Sequence, residues 1–566
     1  MAASDPERES LLQAQNRNPS HSSLAKDDRA SSSSTSIDEG DIGVGNTQPS
    51  RAVEDDVLPE TSPLGRTLTW QSAYILAISR VVGSGIFATP GAIAQSVGSV
   101  GLALSLWVVG AVIAACGLAV ALEYGCMLPR SGGTKVYLEF TYRRPRLLAS
   151  TLYALYAMFL GFTASNCVVF SRYVLFALGV HHPSGFVSKG LAVGLLSVIT
   201  VTHSVFPKTG IKVQNVLGWI KIGVIILMIL SGVYVVLFRP DTDSIVETRH
   251  QLSWEHLWED SSWNWGTIST ALFKVFYSYA GLDNVSNVLN EVKDPVRTLR
   301  SVALTALATA CSMYFLINVA YFLVVPLDEI RDSGELIAAL FFERLFGEQV
   351  GRRVLPLAVA LSAGGNVMVV AFAMARIKQE IARQGFLPFG HILSSSQPFG
   401  SPLGGFLVNY IPSTLVIILP PSGAVYSFIL EVEGYAGELI SLAIAVGLLK
   451  LRFQRPDLKR PFKAWTPAIV VKIVLAVGLL AAPFFRPPNR PDNGMFYATY
   501  ALVGFTMYVI CRLGTNCLLT DISSFVVGVV YWYLWTIAIP RWRGCTLEEE
   551  TRVLADGTSV TKFRYR

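Results

Sequence analysis

The chain has 566 residues, of which 52% are apolar and 15% are charged, and its mean hydropathy is +0.46. A water-soluble protein of this length does not keep such a balance in solution, so the composition predicts a polytopic membrane protein. The net charge of +6 does not indicate a nucleic-acid-binding protein, because the basic residues lie in short loops between apolar runs and form no single patch.

Residues 1–66 are rich in Ser, Asp and Glu and lack the apolar core of a secretory signal. We expect a disordered cytoplasmic tail over this segment. Within it, Glu7 followed by Leu11 and Leu12 fits an acidic dileucine sorting signal, and Lys26 is a candidate ubiquitin acceptor. These short patterns predict that endocytic or ubiquitin machinery binds the tail.

Apolar runs of about 18 residues or more, long enough to cross a bilayer, follow the tail. Twelve such spans are predicted, near 70–97, 101–124, 147–180, 187–206, 213–238, 266–291, 299–325, 354–378, 403–419, 425–449, 466–485 and from 495 onward. They form a predicted transmembrane domain over 67–540, followed by a cytoplasmic tail over 541–566. The loops on the tail side of the membrane hold 19 Lys and Arg against 8 on the other side, which predicts a cytoplasmic N-terminus.

The first span contains helix-breaking residues at its centre. As one helix, 70–97 would be about 42 Å long, clearly more than the roughly 30 Å hydrocarbon core. Gly83 and Gly85 are weak helix formers, and Ser84 can bond freed backbone groups, so we expect the helix to unwind here and to line a site. The alternative is that these small residues only allow close helix packing.

The sixth span carries a second breaker, Ala280-Gly281, followed by Asp283 and Asn284 at predicted intramembrane positions. Interrupted helices at matching places in two five-helix halves are typical of inverted-repeat transporters that bind substrate at the midplane. The first break would offer backbone N–H groups to a carboxylate, and the second would offer carbonyl groups to an ammonium. A ligand with both groups side by side is an α-amino acid.

Several charged residues fall inside the predicted spans. Lys221 is an isolated cation in span five, and we expect it either to serve function or to reach the inner interface as a snorkelling side chain. Lys274 in span six, and three glutamates in span ten, could line the access path, pair with one another, or lie above the bilayer. The glutamates are Glu431, Glu433 and Glu438.

Two further segments carry local predictions. Apolar residues recur at helical spacing from Leu336 to Leu345, which predicts a short amphipathic helix on the outer face. Residues 507–524 interrupt what would otherwise be one final span, and we interpret them as an insertion, with a retained intron as one explanation. The seven cysteines have no C-x-x-C spacing, so neither a disulfide framework nor a metal site is predicted.

Four motifs, in this order, resemble the amino acid, polyamine and organocation transporter superfamily: "GSGIFATPG", "LPRSGGTKVYLEF", "YSYAGLDN" with "NEVKDPVRTL", and "RIKQEIARQGFLP". The likeness covers roughly residues 66–545. Within the superfamily, the chain is most similar to the L-type amino acid transporter branch and its fungal high-affinity methionine permeases. The resemblance implies an all-α, twelve-span LeuT-type fold, a 5+5 inverted repeat with helices 1 and 6 discontinuous.

By position, the resemblance implies that Gly83, Ser84, Gly85 and Ile86 bind the substrate carboxylate and that Ser278, Tyr279 and Ala280 bind its amine. Tyr277 falls where relatives place an aromatic that shields the substrate, although core packing would explain it equally. Lys221 matches a lysine that replaces the second sodium of sodium-coupled relatives, which implies sodium-independent transport and a role in proton coupling. The turn 179–185 lacks the cysteine that joins animal relatives to a heavy chain, so no disulfide-linked subunit is expected.

Together these features predict an amino acid permease that moves a large neutral L-amino acid, with methionine as the first candidate, by alternating access and without a cofactor. The expected membrane is the plasma membrane, with the vacuolar membrane as the alternative. The alternative function is a non-transporting amino acid sensor that signals through its cytoplasmic tails. An enzyme is not expected, because the spans contain no catalytic-triad, H-E-x-x-H or cofactor motif.

Overall fold

The computed structural model of the chain describes residues 66, 68–130, 132–145, 147–180, 183–238, 253–383, 393–395, 399–420, 425–481, 532–545, 547–553 and 559–565. Almost all of the predicted tail over 1–66, the predicted insertion over 507–524 and most of the last apolar run lie outside the described residues.

Helices dominate the described part of the chain. They are α1 (Trp70–Val81), α2 (Gly85–Val97), α3 (Val100–Met127), α4 (Thr134–Thr141), α5 (Leu148–Phe159), α6 (Ser165–Ala177), α7 (Gly185–Val205), α8 (Pro207–Phe238), α9 (Trp265–Tyr279), α10 (Pro295–Val324), α11 (Leu327–Asp332), α12 (Ile337–Phe346), α13 (Leu355–Arg383), α14 (Leu403–Ile418), α15 (Val425–Gln454), α16 (Thr466–Leu480) and α17 (Ile539–Arg543). A 3₁₀ helix covers Asn284–Glu291, and π-helical segments cover Gly347–Val354 and Leu534–Ala538.

The C-terminus departs from the all-helical prediction. Strands β1 (Leu547–Val553) and β2 (Ser559–Tyr565) form an antiparallel hairpin in which Leu547 pairs with Tyr565 and Val553 with Ser559. The sequence "SVTKFRY" of β2 places β-branched and aromatic residues at alternate positions, a pattern that favours a strand. The predicted C-terminal tail therefore contains a folded element.

Among the described residues, six helical stretches are long and apolar enough to cross a membrane. They are Val100–Met127, Gly185–Val205, Pro207–Val235, Pro295–Val324, Ile337–Gln379 and Phe428–Gln454. Leu148–Met158, Leu403–Ile418 and Thr466–Leu480 are shorter apolar helices. The first and sixth predicted spans are absent from the long helices because each is interrupted near its centre.

The third predicted span is wrong as a single helix. The run 147–180 is divided into α5 and α6, with non-helical backbone from Leu160 to Ala164. At about 1.5 Å per residue, 34 residues would make a helix of about 51 Å, so the length that indicated a break in the first span also applied here.

The short helix predicted from Leu336 to Leu345 is confirmed as α12, and its place on the outer face of the membrane stays a prediction. Its Ile337, Phe341 and Phe342 are fully buried, so the helix packs into the protein with its apolar side. Around the centre of the molecule, α9 contacts α2, α3 and α15, while α13 contacts α6 and α8. The rings of Trp107 on α3, Tyr279 on α9 and Tyr314 on α10 pack against one another, with centroids 5.2 to 6.1 Å apart. The broken helices therefore lie in the buried core.

Candidate functional site

The first helix break lies where the sequence predicts it. Helix α1 ends at Val81, α2 begins at Gly85, and Val82–Ser84 between them are not helical. A side chain on Gly83 would bring its Cβ within 2.7 Å of Asn366 Nδ2. Because the first N–H groups of a helix have no acceptor within the helix, those of Gly85 and Ile86 need a partner from outside it.

The second break is also confirmed. Helix α9 ends at Tyr279, Ala280 is extended, and Gly281 has φ +102°, a conformation that favours glycine. A Cβ on Gly281 would lie 2.5 Å from Arg80 Cγ on α1. The chain then continues as the 3₁₀ helix, so the second half of the sixth span is shorter and tighter than an α-helix.

Tyrosine hydroxyl groups satisfy backbone carbonyls at both breaks. The Tyr314 hydroxyl lies 2.9 Å from Val81 O and 2.9 Å from Ser278 O, so it bridges the ends of α1 and α9. Tyr321 donates to Ile86 O at 3.1 Å, and the Tyr173 hydroxyl bonds the next carbonyl of α2 at 2.7 Å. Interrupted backbone inside a membrane protein needs such partners, because no bulk water is present to replace them.

The Tyr277 hydroxyl is the centre of a polar network between the breaks. It lies 2.8 Å from Ser165 Oγ and 3.3 Å from Ser84 Oγ, and it accepts from Asn166 Nδ2 at 3.0 Å. Ser84 is fully buried, whereas Tyr277 lines the cavity described below. Tyr277 therefore separates Ser84 from that cavity.

Asn166 connects this network to Lys221. Its Oδ1 accepts from the Ser84 backbone N–H at 3.1 Å and from Asn366 Nδ2 at 3.2 Å. Lys221 Nζ, on α8, donates to Asn366 Oδ1 at 3.5 Å. The Lys221 side chain is buried, so the structure places this cation two amide side chains away from the first break.

A cavity of about 500 Å³ lies beside the network. Of the predicted substrate residues, Tyr277, Tyr279 and Ala280 line it, whereas Gly83, Ser84, Gly85, Ile86 and Ser278 are buried behind it. Much of its wall is apolar, including Ile113, Phe162, Phe276, Val370, Met374 and Ile377. The cavity is large enough for an amino acid, and its wall suits a hydrophobic side chain.

Charged residues also line the cavity. Glu438 on α15 forms a buried ion pair with Lys472 on α16, with Lys472 Nζ 2.9 and 3.0 Å from the two carboxylate oxygens. Arg80, Asp283 and Glu433 lie in the same wall. Glu438 and Glu433 thus line the cavity, and the partner of Glu438 is Lys472 and not one of the embedded charges that the sequence analysis considered together. The side chain of Glu431 lies outside the described residues.

Lys274 has a different position from these charges. Its Nζ donates to Ala92 O at 2.9 Å and to Ser96 Oγ at 2.8 Å, which ties α9 to the last turn of α2. A cation near a helix C-terminus interacts favourably with the helix dipole and the free carbonyl groups. Lys274 therefore links α2, which follows the first break, to α9, which precedes the second.

Sequence reasoning missed four polar residues of the network and its surroundings: Ser165, Asn166, Asn366 and Lys378. Ser165 and Asn166 follow the non-helical segment Leu160–Ala164, the third break. The length of the run 147–180, which exceeds one membrane-spanning helix, was the sequence feature that could have revealed it. For Asn366 and Lys378, the signal was a polar or charged residue inside an apolar span, the same signal that indicated Lys221.

A comparison with protein families decides which family the chain belongs to. The family model described as "Amino acid permease" matches residues 68–508. The chain belongs to the amino acid permease family. This permease is 32% identical over 507 residues to the low-affinity methionine permease of Saccharomyces cerevisiae, covering 88% of each chain. It is 33% identical over 474 residues to the high-affinity methionine permease of the same yeast, covering 82% of this chain and 78% of the other.

A more distant relative of this permease is the human b(0,+)-type amino acid transporter 1, 26% identical over 476 residues, or 83% of this chain and 92% of the relative. The matches confirm the predicted superfamily and the resemblance to fungal methionine permeases. The protein is an integral membrane transporter and not an enzyme.

Proposed function

We propose that this permease moves a large neutral L-amino acid, with methionine as the first candidate, across a membrane by alternating access. The observation that carries the proposal is the meeting of two helix breaks beside a largely apolar cavity. A Cβ on Gly85 would lie 3.0 Å from Ser278 Cα, so the breaks are almost in backbone contact. Paired breaks of this kind hold substrate at the midplane of inverted-repeat transporters.

We also propose the twelve-span, LeuT-type 5+5 inverted repeat as the architecture. Two of the three interrupted elements, α1–α2 and α9 with its 3₁₀ helix, stand first and sixth when the described elements are assigned to spans. The first half then covers 70–238 and the second covers 265–454. Helix α16 is the eleventh span, and the twelfth falls mostly outside the described residues.

In this proposal, the backbone of the amino acid binds between the breaks. The free N–H groups of Gly85 and Ile86, flanked by Ser84, receive the carboxylate. Carbonyl groups at the end of α9, from Tyr277 to Ala280, receive the ammonium group. Ser278 O already accepts the Tyr314 hydroxyl, and a carbonyl oxygen has a second lone pair for a ligand.

The side chain of the substrate would extend into the apolar part of the cavity. Methionine, leucine and phenylalanine all suit such a wall, and the names of the two yeast relatives favour methionine.

Lys221 is the proposed coupling residue. Its ammonium group is joined to the Ser84 N–H through hydrogen bonds of Asn366 and Asn166. A change in the protonation of Lys221 would therefore alter the hydrogen bonds at the first break. A resident cation at this place replaces a sodium ion, so transport would be sodium-independent and proton-coupled. Lys221→Ala is expected to impair coupling more than binding.

We infer the plasma membrane as the location, with the vacuolar membrane as the alternative, and tail-dependent endocytosis through the dileucine pattern and Lys26. No disulfide-linked heavy chain is part of the proposal. A protein without residues 1–66 that keeps its normal trafficking would contradict the proposed role of the tail.

Uptake of radiolabelled methionine by purified protein in liposomes tests the function. Sodium is present or replaced by choline, a proton gradient is imposed or omitted, and unlabelled amino acids compete. We expect saturable, sodium-independent uptake that the gradient raises and that large neutral amino acids inhibit. Exchange that ignores the gradient would contradict proton coupling.

Two matched variants sharpen this experiment. Lys221→Ala is compared with Lys189→Ala, a lysine that donates to Ile418 O and Pro420 O away from the breaks. Only the first is expected to lose the response to the gradient while keeping its affinity for methionine. Amino acid binding without any uptake by the wild-type protein would support the sensor in place of the permease mechanism.

A further inference from the structure

A third helix break forms part of the cavity wall. Between α5 and α6, Leu160–Ala164 leave the helical conformation, and Leu160, Gly161, Phe162 and Thr163 line the cavity. This backbone lies inside a predicted span, so its polar groups need partners from the protein.

Two neighbouring helices supply those partners. Lys378 on α13 donates from Nζ to Gly161 O at 2.8 Å and to Asn409 Oδ1 at 3.1 Å. Asn409 on α14 donates from Nδ2 to Thr163 Oγ1 at 3.3 Å, and Ser413 Oγ accepts the Thr163 N–H at 2.8 Å. Lys378 is only 1% exposed, and a cation buried so deeply is retained only where such oxygen atoms surround it.

The third break determines where α6 begins. The first two residues of α6 are Ser165 and Asn166, whose side chains bond the Tyr277 hydroxyl, and Asn166 also accepts the Ser84 N–H. If 160–164 became helical, the rotation and rise of the added turn would carry both side chains away from Tyr277.

Helix α13 holds this break from both sides. Lys378 bonds Gly161 before α6, and Asn366 on the same helix bonds Asn166 within its first turn. The two residues are twelve positions apart, about 18 Å along the helix axis at about 1.5 Å per residue. Helix α13 therefore sets both the position of the break and the position of the first turn of α6.

We propose that Lys378, together with Asn409, is a positioning residue for the amino acid site. It keeps 160–164 unwound so that Ser165 and Asn166 hold Tyr277 and Ser84 in place for the substrate. This inference rests on the proposed function, because it assigns Lys378 a part in amino acid binding without contact with the amino acid.

The test compares Lys378→Met, which keeps a long unbranched side chain but removes the donor, with Lys189→Met as the matched control. Lys189 also donates to backbone carbonyls, those of Ile418 and Pro420, but it does not approach the third break. Methionine binding is measured by titration of the purified full-length protein, and amide hydrogen exchange is measured over 82–88 and 160–168.

We expect Lys378→Met to raise the Kd for methionine about tenfold and to speed exchange in both segments severalfold, while Lys189→Met changes neither. Tyr277→Phe should also raise the Kd about tenfold. If Lys378 acts through Tyr277, the double variant will show about the same tenfold loss, whereas independent effects would multiply to about a hundredfold.

A hundredfold loss in the double variant, or unchanged exchange in Lys378→Met, would overturn the proposal. If Lys378→Met does not fold, Asn409→Ala removes one partner of the break and is expected to give the same exchange pattern and the same non-additivity. Failure of the wild-type protein to bind any amino acid would overturn the proposed function instead, and the exchange comparison would still decide whether Lys378 positions the break.

Discussion

Replacing Gly85 with alanine tests how closely the two broken helices must approach each other. The added Cβ would lie 2.6 Å from Ser278 Oγ, 3.1 Å from Ser278 Cβ and 3.0 Å from Ser278 Cα. Carbon atoms in contact are normally about 3.5–4.0 Å apart. The serine hydroxyl can rotate away, but the Cα atom belongs to the backbone of α9, so α2 and α9 would have to separate by about 0.5 Å.

Overpacking of this kind costs about 1–3 kcal/mol in well-packed protein interiors. Gly85 is the first residue of α2, so alanine recovers little of the roughly 1 kcal/mol that it offers inside a helix. At about 1.4 kcal/mol for each factor of ten, the net cost corresponds to a roughly 5- to 150-fold change in an equilibrium constant. Because the proposed amino acid site lies between the same two helices, we expect both stability and affinity to fall.

The assay measures the apparent melting temperature in detergent and the Kd for methionine. Gly437→Ala is the control, because Gly437 lines the cavity from within α15 and nothing lies within 4 Å of its added Cβ. That variant should be neutral or slightly stabilised by its helix propensity. The reasoning is refuted if Gly85→Ala keeps both the melting temperature and the Kd of Gly437→Ala.

Three further substitutions test other parts of the site. Gly83→Leu is expected to abolish methionine binding in protein that still elutes as a folded species, because the Cβ alone would already lie 2.7 Å from Asn366 Nδ2. Wild-type affinity in this variant would contradict the site assignment. Tyr277→Phe leaves buried polar groups without a partner, which costs about 1–3 kcal/mol, and it should lower the affinity for methionine about tenfold in a binding titration. An unchanged Kd would show that the network does not support binding. Glu438→Gln leaves the buried Lys472 without its ion-pair partner and should destabilise the protein by about 3–5 kcal/mol in thermal unfolding. The double variant Glu438→Gln with Lys472→Met should recover much of that stability, and a double variant as unstable as Glu438→Gln alone would contradict a direct pairing.

The two breaks predicted from sequence were found because a local rule decides them. A run of 28 residues exceeds the bilayer, and glycine and serine inside it leave few other places for the excess length. The same holds for Ala280-Gly281, where a positive φ at Gly281 requires a residue without a Cβ. The third break has no such marker at its centre beyond Gly161, and only the length of its run indicated it.

Partners across the bundle could not be predicted in the same way. Lys274 and Glu438 were both recognised as embedded charges, but one bonds the end of α2 and the other pairs with Lys472 on the neighbouring helix. A hydrophobic pattern shows that a charged residue lies within a span. It does not show which helix faces that residue, because that depends on helix rotation and crossing angle.

The sequence by itself determined the class of the protein, its predicted orientation and the positions of two backbone breaks, because these follow from composition, loop charge and run length within one segment. Only the tertiary structure decided that Asn166, Asn366 and Lys221 form one series of hydrogen bonds to the first break, and that Lys378 bonds a carbonyl group of the third break. The physical reason is distance along the chain: these residues come together only when three different helices, α6, α8 and α13, pack against one another.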